Sequence, residues 1–162
     1  MSYLNLIGEV DEKMVEKVAE HLQEVKGEHV NIRLCSEGGS SYDALAIADM
    51  LIAHTGTVKV TVFGKCMSAA IMIVAVADLR VAAPNAWFMV HEEAADGVTG
   101  STTALERHAQ QLREEENTWN KLLSNYTATD LATWDHMSRE TTYFNAKTAQ
   151  LFGLVDSILD AE

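Results

Sequence analysis

Three short segments hold residue types that could do chemistry together. Ser68 stands at the head of the apolar run Ala69-Ala70-Ile71-Met72-Ile73-Val74-Ala75-Val76-Ala77. If that run is a helix, the hydroxyl sits at the positive end of its dipole, and the Ala69 N–H is a donor without an intrahelical partner. Such a donor can hold an oxyanion. Serine is also a favoured helix cap, so the same residue reads equally as structural. His91 follows the run Trp87-Phe88-Met89-Val90. Catalytic groups in open α/β sheets gather at the carboxyl ends of strands, and a neutral imidazole there could take the Ser68 proton as general base. The plainer alternative is a half-buried histidine at a strand end. Gly38-Gly39 lies between a strand and a helix, where missing side chains let backbone N–H groups face a ligand. An ordinary tight turn would use glycines in the same way. His21, His29, His54, His108 and His136 read as surface residues on helices or turns.

The elements that must position these groups read β-α-β-α-β-α-β-β-α-α-β-α-β. A short strand covers 4–8. Asp11 caps a helix whose face is Met14, Val15, Val18, Leu22 and Val25, with Gly27 as its stop. Alternation predicts strands over 30–34 and 58–62, with a turn over 36–41 and a helix to about His54 between them. The segment 64–67 turns into the apolar run, whose alanines and methionines favour a buried helix over 68–77. Strands follow over 79–82 and 86–91, with Pro84-Asn85 as the turn. Residues 94–100 look extended or mobile. Thr103-Ala104-Leu105-Glu106 fits a capping box for a charged helix running to about Asn125. A short helix starts at Thr129 or Asp130. A strand covers 141–144, Asn145 caps a helix ending before Gly153, and Leu154-Val155-Asp156 closes as a strand. Strands alternating with helices imply a mostly parallel sheet with right-handed crossovers.

The 162 residues make one domain's worth of chain, and their 48% apolar content is that of a protein with its own core. Twelve Lys and Arg against 24 Asp and Glu leave a net charge of −12. Nucleic acid is not expected as a partner, because phosphate binding runs on basic side chains. No apolar run approaches the roughly 18 residues of a membrane span. The start, Met1-Ser2-Tyr3-Leu4-Asn5, has no basic region or cleavage pattern, and Cys35 and Cys66 form no close metal-ligand pair. The expectation is a cytoplasmic protein with reduced thiols, without metal or cofactor.

Five segments, in order, resemble the proteolytic subunit of the Clp protease family. Ser36-Glu37-Gly38-Gly39-Ser40 followed by Ala44-Leu45-Ala46-Ile47-Ala48-Asp49 looks like its glycine turn and helix. Gly64-Lys65-Cys66-Met67-Ser68-Ala69-Ala70 looks like its nucleophile segment, and Pro84 to His91 like its histidine strand. Gly97-Val98-Thr99-Gly100 resembles the start of its handle, and Phe144-Asn145-Ala146 to Asp156 its closing segment. The resemblance implies an α/β fold of the ClpP/crotonase-like type: a mostly parallel sheet, flanking helices and a protruding handle helix at about 92–125, in a single peptidase domain over 1–162. It implies a serine endopeptidase acting on unfolded polypeptide inside two stacked heptameric rings of one chain. Ser68 would be nucleophile and His91 general base, with the Gly38 and Ala69 N–H groups as oxyanion hole. Gly39 and Ser40 would begin an edge on which substrate lies as an added strand. The apolar stripe Leu105, Leu112, Trp119 and Leu122-Leu123 would be an oligomer contact.

Some positions depart from that pattern, as short, divergent or phage-encoded relatives do. The third triad position, an Asp in the family, is Thr141, which can orient His91 by a hydrogen bond but brings no charge. Glu140 and Asp135 lie nearby and either could substitute, although each reads first as a solvated surface charge; strand alternation lets at most one of Glu140 and Thr141 point at His91. Glu37 replaces a proline. The first strand begins close to Met1, where the family has an extra segment that helps a partner AAA+ ATPase dock, so docking in the usual way is not expected. Two rivals stand beside the active peptidase: a non-catalytic ring subunit paired with an active paralogue, and a crotonase-type enzyme acting on an acyl-CoA thioester.

Overall fold

Alternating apolar residues decide which strands lie at the centre. Val30, Ile32 and Leu34 point one way, as do Val58, Val60 and Val62, and all six are buried. The computed structural model, which describes residues 3–160, contains thirteen elements in the predicted order. They are β1 (Tyr3–Val10), α1 (Glu12–Val25), β2 (Val30–Gly39), α2 (Ser41–Ala53), β3 (Val58–Met67), α3 (Ala70–Ala75), β4 (Leu79–Ala82), β5 (Trp87–Val90), α4 (Thr102–Tyr126), α5 (Leu131–Arg139), β6 (Thr142–Asn145), α6 (Ala146–Leu151) and β7 (Ser157–Ile158).

The strands run β1-β2-β3-β4-β7 across the sheet, each pair parallel. β3 serves two neighbours. Its first half, 59–62, pairs with β4, and its second half, 65–67, pairs with β5. The change of partner falls at Gly64, whose φ of +66° is open to glycine at little cost. β6 joins β5 antiparallel, the one departure from a parallel sheet among the described residues. Phe88 and Phe144 stack at 5.6 Å on the inner face of this pair. Trp87 and Tyr143 stand exposed on its outer face.

Caps form largely where the residue types predict. Asp11, Asp130 and Asn145 accept the N–H groups of Met14, Thr133 and Thr148. The capping box does not form: Ser101, not Thr103, caps α4, accepting from Ala104 N–H. Leu154-Val155-Asp156 is not a strand. Leu154 and Val155 are buried core, and β7 starts at Ser157. β2 and β3 run well beyond their alternating stretches, through Gly39 and Met67, because main-chain pairing continues there without apolar alternation. The first turns of α4 are exposed, and the helix is buried only near its end, at Asn120 and Leu123. It thus stands out from the sheet.

One ion pair ties the chain's end to its middle. Arg80 donates to both Asp156 carboxylate oxygens, at 2.6 and 3.3 Å, and to the carbonyls of Tyr126 and Gly153, at 2.7 and 2.9 Å. Burial pushes the Asp156 carboxyl up, but the hydrogen bonds from Arg80 outweigh it and hold the group below the usual aspartate range. A carboxyl lowered in the folded state stabilises above its unfolded value, and that contribution is lost as pH falls through the folded value. Asp156→Asn is therefore expected to flatten the acid side of a stability-against-pH curve below about pH 4, measured by denaturant midpoints.

Candidate active site

The end of β3 and the end of β5 meet at one place. Met67 pairs with Met89, and the Ser68 N–H donates to the Met89 carbonyl at 2.8 Å. Ser68 has φ of +53°, a left-handed conformation rare for a residue with a side chain. Strained backbone of this kind clusters at functional sites. The chain reverses there, and α3 starts two residues later. Ser68 is therefore not the helix cap: Ala69 occupies that place, with no side-chain cap bond. The serine is freed for another partner.

That partner is His91. Its Nε2 lies 2.7 Å from Ser68 Oγ. With the ring proton on Nδ1, the hydroxyl donates to Nε2, which is the geometry for passing its proton to a base. Cys66, two residues before Ser68, is fully buried and its thiol is pushed up by that burial, so it offers no competing nucleophile.

Gly38 reaches the same point from β2. A Cβ built on it would lie 2.7 Å from Ser68 Cβ, 2.8 Å from the Met67 carbonyl and 3.1 Å from Ala69 N. Only a glycine lets β2 come this close to the nucleophile turn. Ala69 is buried, and its N–H has no backbone partner among the described residues. The Gly38 N–H differs from expectation. It donates to the Ser36 hydroxyl at 3.1 Å, inside the protein, instead of pointing into open space. Gly38→Ala adds both the contact and backbone strain at φ +100°. It should cost about 2–5 kcal/mol in chemical denaturation. Gly8 also has φ of +100° but nothing within 4 Å of an added Cβ, so Gly8→Ala should cost only the backbone part.

Gly39 lines the cavity beside Ser68. Ser40 does not. Its N–H donates to the Val10 carbonyl and its hydroxyl caps α2 by accepting from Asp43 N–H at 3.2 Å. Glu37 forms a 2.7 Å ion pair with Lys65 on β3, which ties the turn down in place of a ring.

The third triad position is not closed. β5 and β6 pair as far as Val90 and Thr142, so His91 and Thr141 each lie one residue beyond the last pair. The Thr141 side chain is exposed, its φ is +51°, and its N–H donates to the Ser138 carbonyl. No hydrogen bond joins Thr141, Glu140 or Asp135 to His91. Glu140 ends α5 instead of lying in a strand, so strand alternation does not apply to it, and Asp135 pairs with Arg139 at 3.1 Å.

A cavity of about 120 Å³ opens beside Ser68, Ala69 and His91. Its far wall is Glu116, Trp119 and Asn120 of α4 and Ser138 of α5. The sequence reading placed none of these groups at the site and assigned Trp119 to an oligomer contact; Leu123 is instead buried in the chain's own core, with Trp119 and Leu122 packed against it. One signal was present: Asn120 interrupts the apolar stripe of its helix, and it is 1% exposed. Among the described residues no three His, Cys, Asp or Glu side chains converge as a metal site, and no helix is long and apolar enough to cross a membrane.

A family model described as Clp protease matches residues 2–162. The mostly parallel sheet with its flanking helices agrees with that family's fold. By a match that spans almost every residue, the chain belongs to the Clp protease family, a family of serine peptidases.

Proposed function

We propose that the chain is a serine endopeptidase subunit that cleaves unfolded polypeptide through an acyl-enzyme. The observation that carries this reading is the 2.7 Å approach of His91 Nε2 to Ser68 Oγ at a strained turn. Ser68 Oγ attacks the peptide carbonyl carbon while His91 Nε2 takes its proton. The carbonyl oxygen becomes an oxyanion against the Ala69 N–H, joined by the Gly38 N–H as it leaves the Ser36 hydroxyl. A hydrogen bond to an anion is roughly twice as strong as one to a neutral acceptor, which favours that exchange. His91 returns its proton to the leaving amine, and water, activated by the same imidazole, releases the acyl group.

Gly39 remains the proposed start of a substrate edge, on the strength of its place in the cavity wall. Ser40 contributes there by fixing the start of α2. Thr141, one residue beyond the last β5–β6 pair, is the proposed third position. The exposed Trp87 and Tyr143 on one face of the β5–β6 pair, with Leu105 exposed on α4, supply apolar surface for assembly with further copies into heptameric rings, stacked in pairs. An AAA+ ATPase is the partner class the family suggests. Two free cysteines accord with a reducing cytoplasm.

Degradation of an unfolded, fluorescently labelled polypeptide, together with particle mass in solution, tests this reading. Peptide products from ring-sized particles support it. Intact substrate with ring-sized particles would favour the second reading, a non-catalytic subunit that needs an active paralogue. The exposed Thr141 side chain, unbonded to His91, is what keeps that second reading in play.

A further inference from the structure

We propose that the cavity beside Ser68 selects a basic side chain, arginine or lysine, on the residue that supplies the acyl carbonyl, with Glu116 as the specificity-determining carboxylate. This rests on the peptidase reading, which makes the cavity beside Ser68 the seat of the side chain next to the acyl carbonyl.

The lining carries one sign of charge. Glu92, Glu93 and Glu116 all face the cavity, and among the described residues no lysine or arginine does. Glu116 also lines a neighbouring groove. Arg113 and Arg139 line that groove, and Arg139 is already paired with Asp135. Glu116 has a buried Oε1 with no hydrogen-bond partner. Burial pushes its carboxyl up, Glu92, Asp135 and Glu93 push it further, and Arg139 pulls it back only in part. A buried acceptor without a donor is costly, and a guanidinium or ammonium removes that cost.

Asn120 is a second, independent sign of a missing ligand. It is 1% exposed, lines the same cavity, and its Nδ2 has no partner. Its Oδ1 takes the Ser138 hydroxyl only at 3.5 Å. Turning the amide over lets Nδ2 donate to Ser138 Oγ and presents Oδ1 to a cation. Trp119 completes the fit: its ring offers an apolar wall for an aliphatic stem and a π face for the charged end. An aspartate or glutamate at this place would meet three carboxylates and is excluded by charge.

Two measurements decide the inference. In peptide hydrolysis, kcat/KM for Arg or Lys at this position should exceed that for Leu by at least about tenfold, with Asp lowest. Glu116→Gln should lower the Arg-to-Leu ratio by at least about tenfold. Independently of turnover, calorimetry on the Ser68→Ala chain should show benzamidine binding at least about tenfold tighter than neutral benzamide. That difference should vanish with Glu116→Gln added. Hydrolysis with Leu ahead of Arg, or equal binding of the two probes, overturns the inference. Absence of hydrolysis with the benzamidine preference intact counts against the peptidase reading alone.

Discussion

Ser68→Ala is expected to lower kcat for peptide hydrolysis by about 10⁶-fold, the loss seen when a serine hydrolase is deprived of its nucleophile. The same change should move folding stability by less than about 1 kcal/mol. Both halves follow from the geometry. The Ser68 hydroxyl caps no helix and its one side-chain hydrogen bond is with His91. The backbone N–H that anchors the turn to Met89 is kept by alanine. Alanine at φ +53° bears the same left-handed strain as serine. Steady-state hydrolysis and a denaturant curve on one preparation check both. A variant that keeps a hundredth of the activity would place the nucleophile elsewhere.

The second large effect is a gain. Thr141→Asp is expected to raise kcat by at least about tenfold, with an upper bound near 10⁴, the loss when a triad aspartate becomes asparagine. A carboxylate hydrogen-bonded to His91 fixes the ring proton on Nδ1 and stabilises the imidazolium, two things a threonine hydroxyl cannot do together. The backbone already suits the change. Thr141 has φ of +51°, where a β-branched residue is strained and Asp or Asn is tolerated. Thr141→Asp should therefore cost no stability. Thr141→Asn is the control: it relieves the same strain without adding charge, so it should stabilise without reproducing the gain. Equal kcat in all three chains would mean that His91 is held from another direction.

Much of this fold was legible because short-range rules point the same way. Asp11, Asp130 and Asn145 cap where their types predict, and the thirteen elements appear in order. What escaped sequence reasoning were contacts between distant segments. Nothing in Val58 to Met67 says that one strand will pair with two neighbours on one edge, yet that split brings Ser68 to His91. The extension of β2 through Gly39 was hidden because glycines carry no alternation, and main-chain pairing with Val10 decides it. The end of the chain was misplaced by two or three residues, because Leu154 and Val155 are apolar enough for a strand and are spent on the core instead.

The candidate site divides along the same line. Ser68, His91 and the glycine pair could be named from residue type and neighbours. That Ser36 holds the Gly38 N–H could not, since it depends on one rotamer in a buried turn. Nor could the cavity wall, because Glu116 and Asn120 come beside the nucleophile only through the packing of α4, which no local spacing encodes.

The central claim is that His91 activates Ser68. The most direct measurement is peptide mapping after reaction with a fluorophosphonate, comparing the rates for the native chain and His91→Ala. One phosphonylated residue, Ser68, is expected, with a labelling rate at least about 10³-fold lower without the imidazole. Equal rates in the two chains, or a label on any other residue, would contradict that claim.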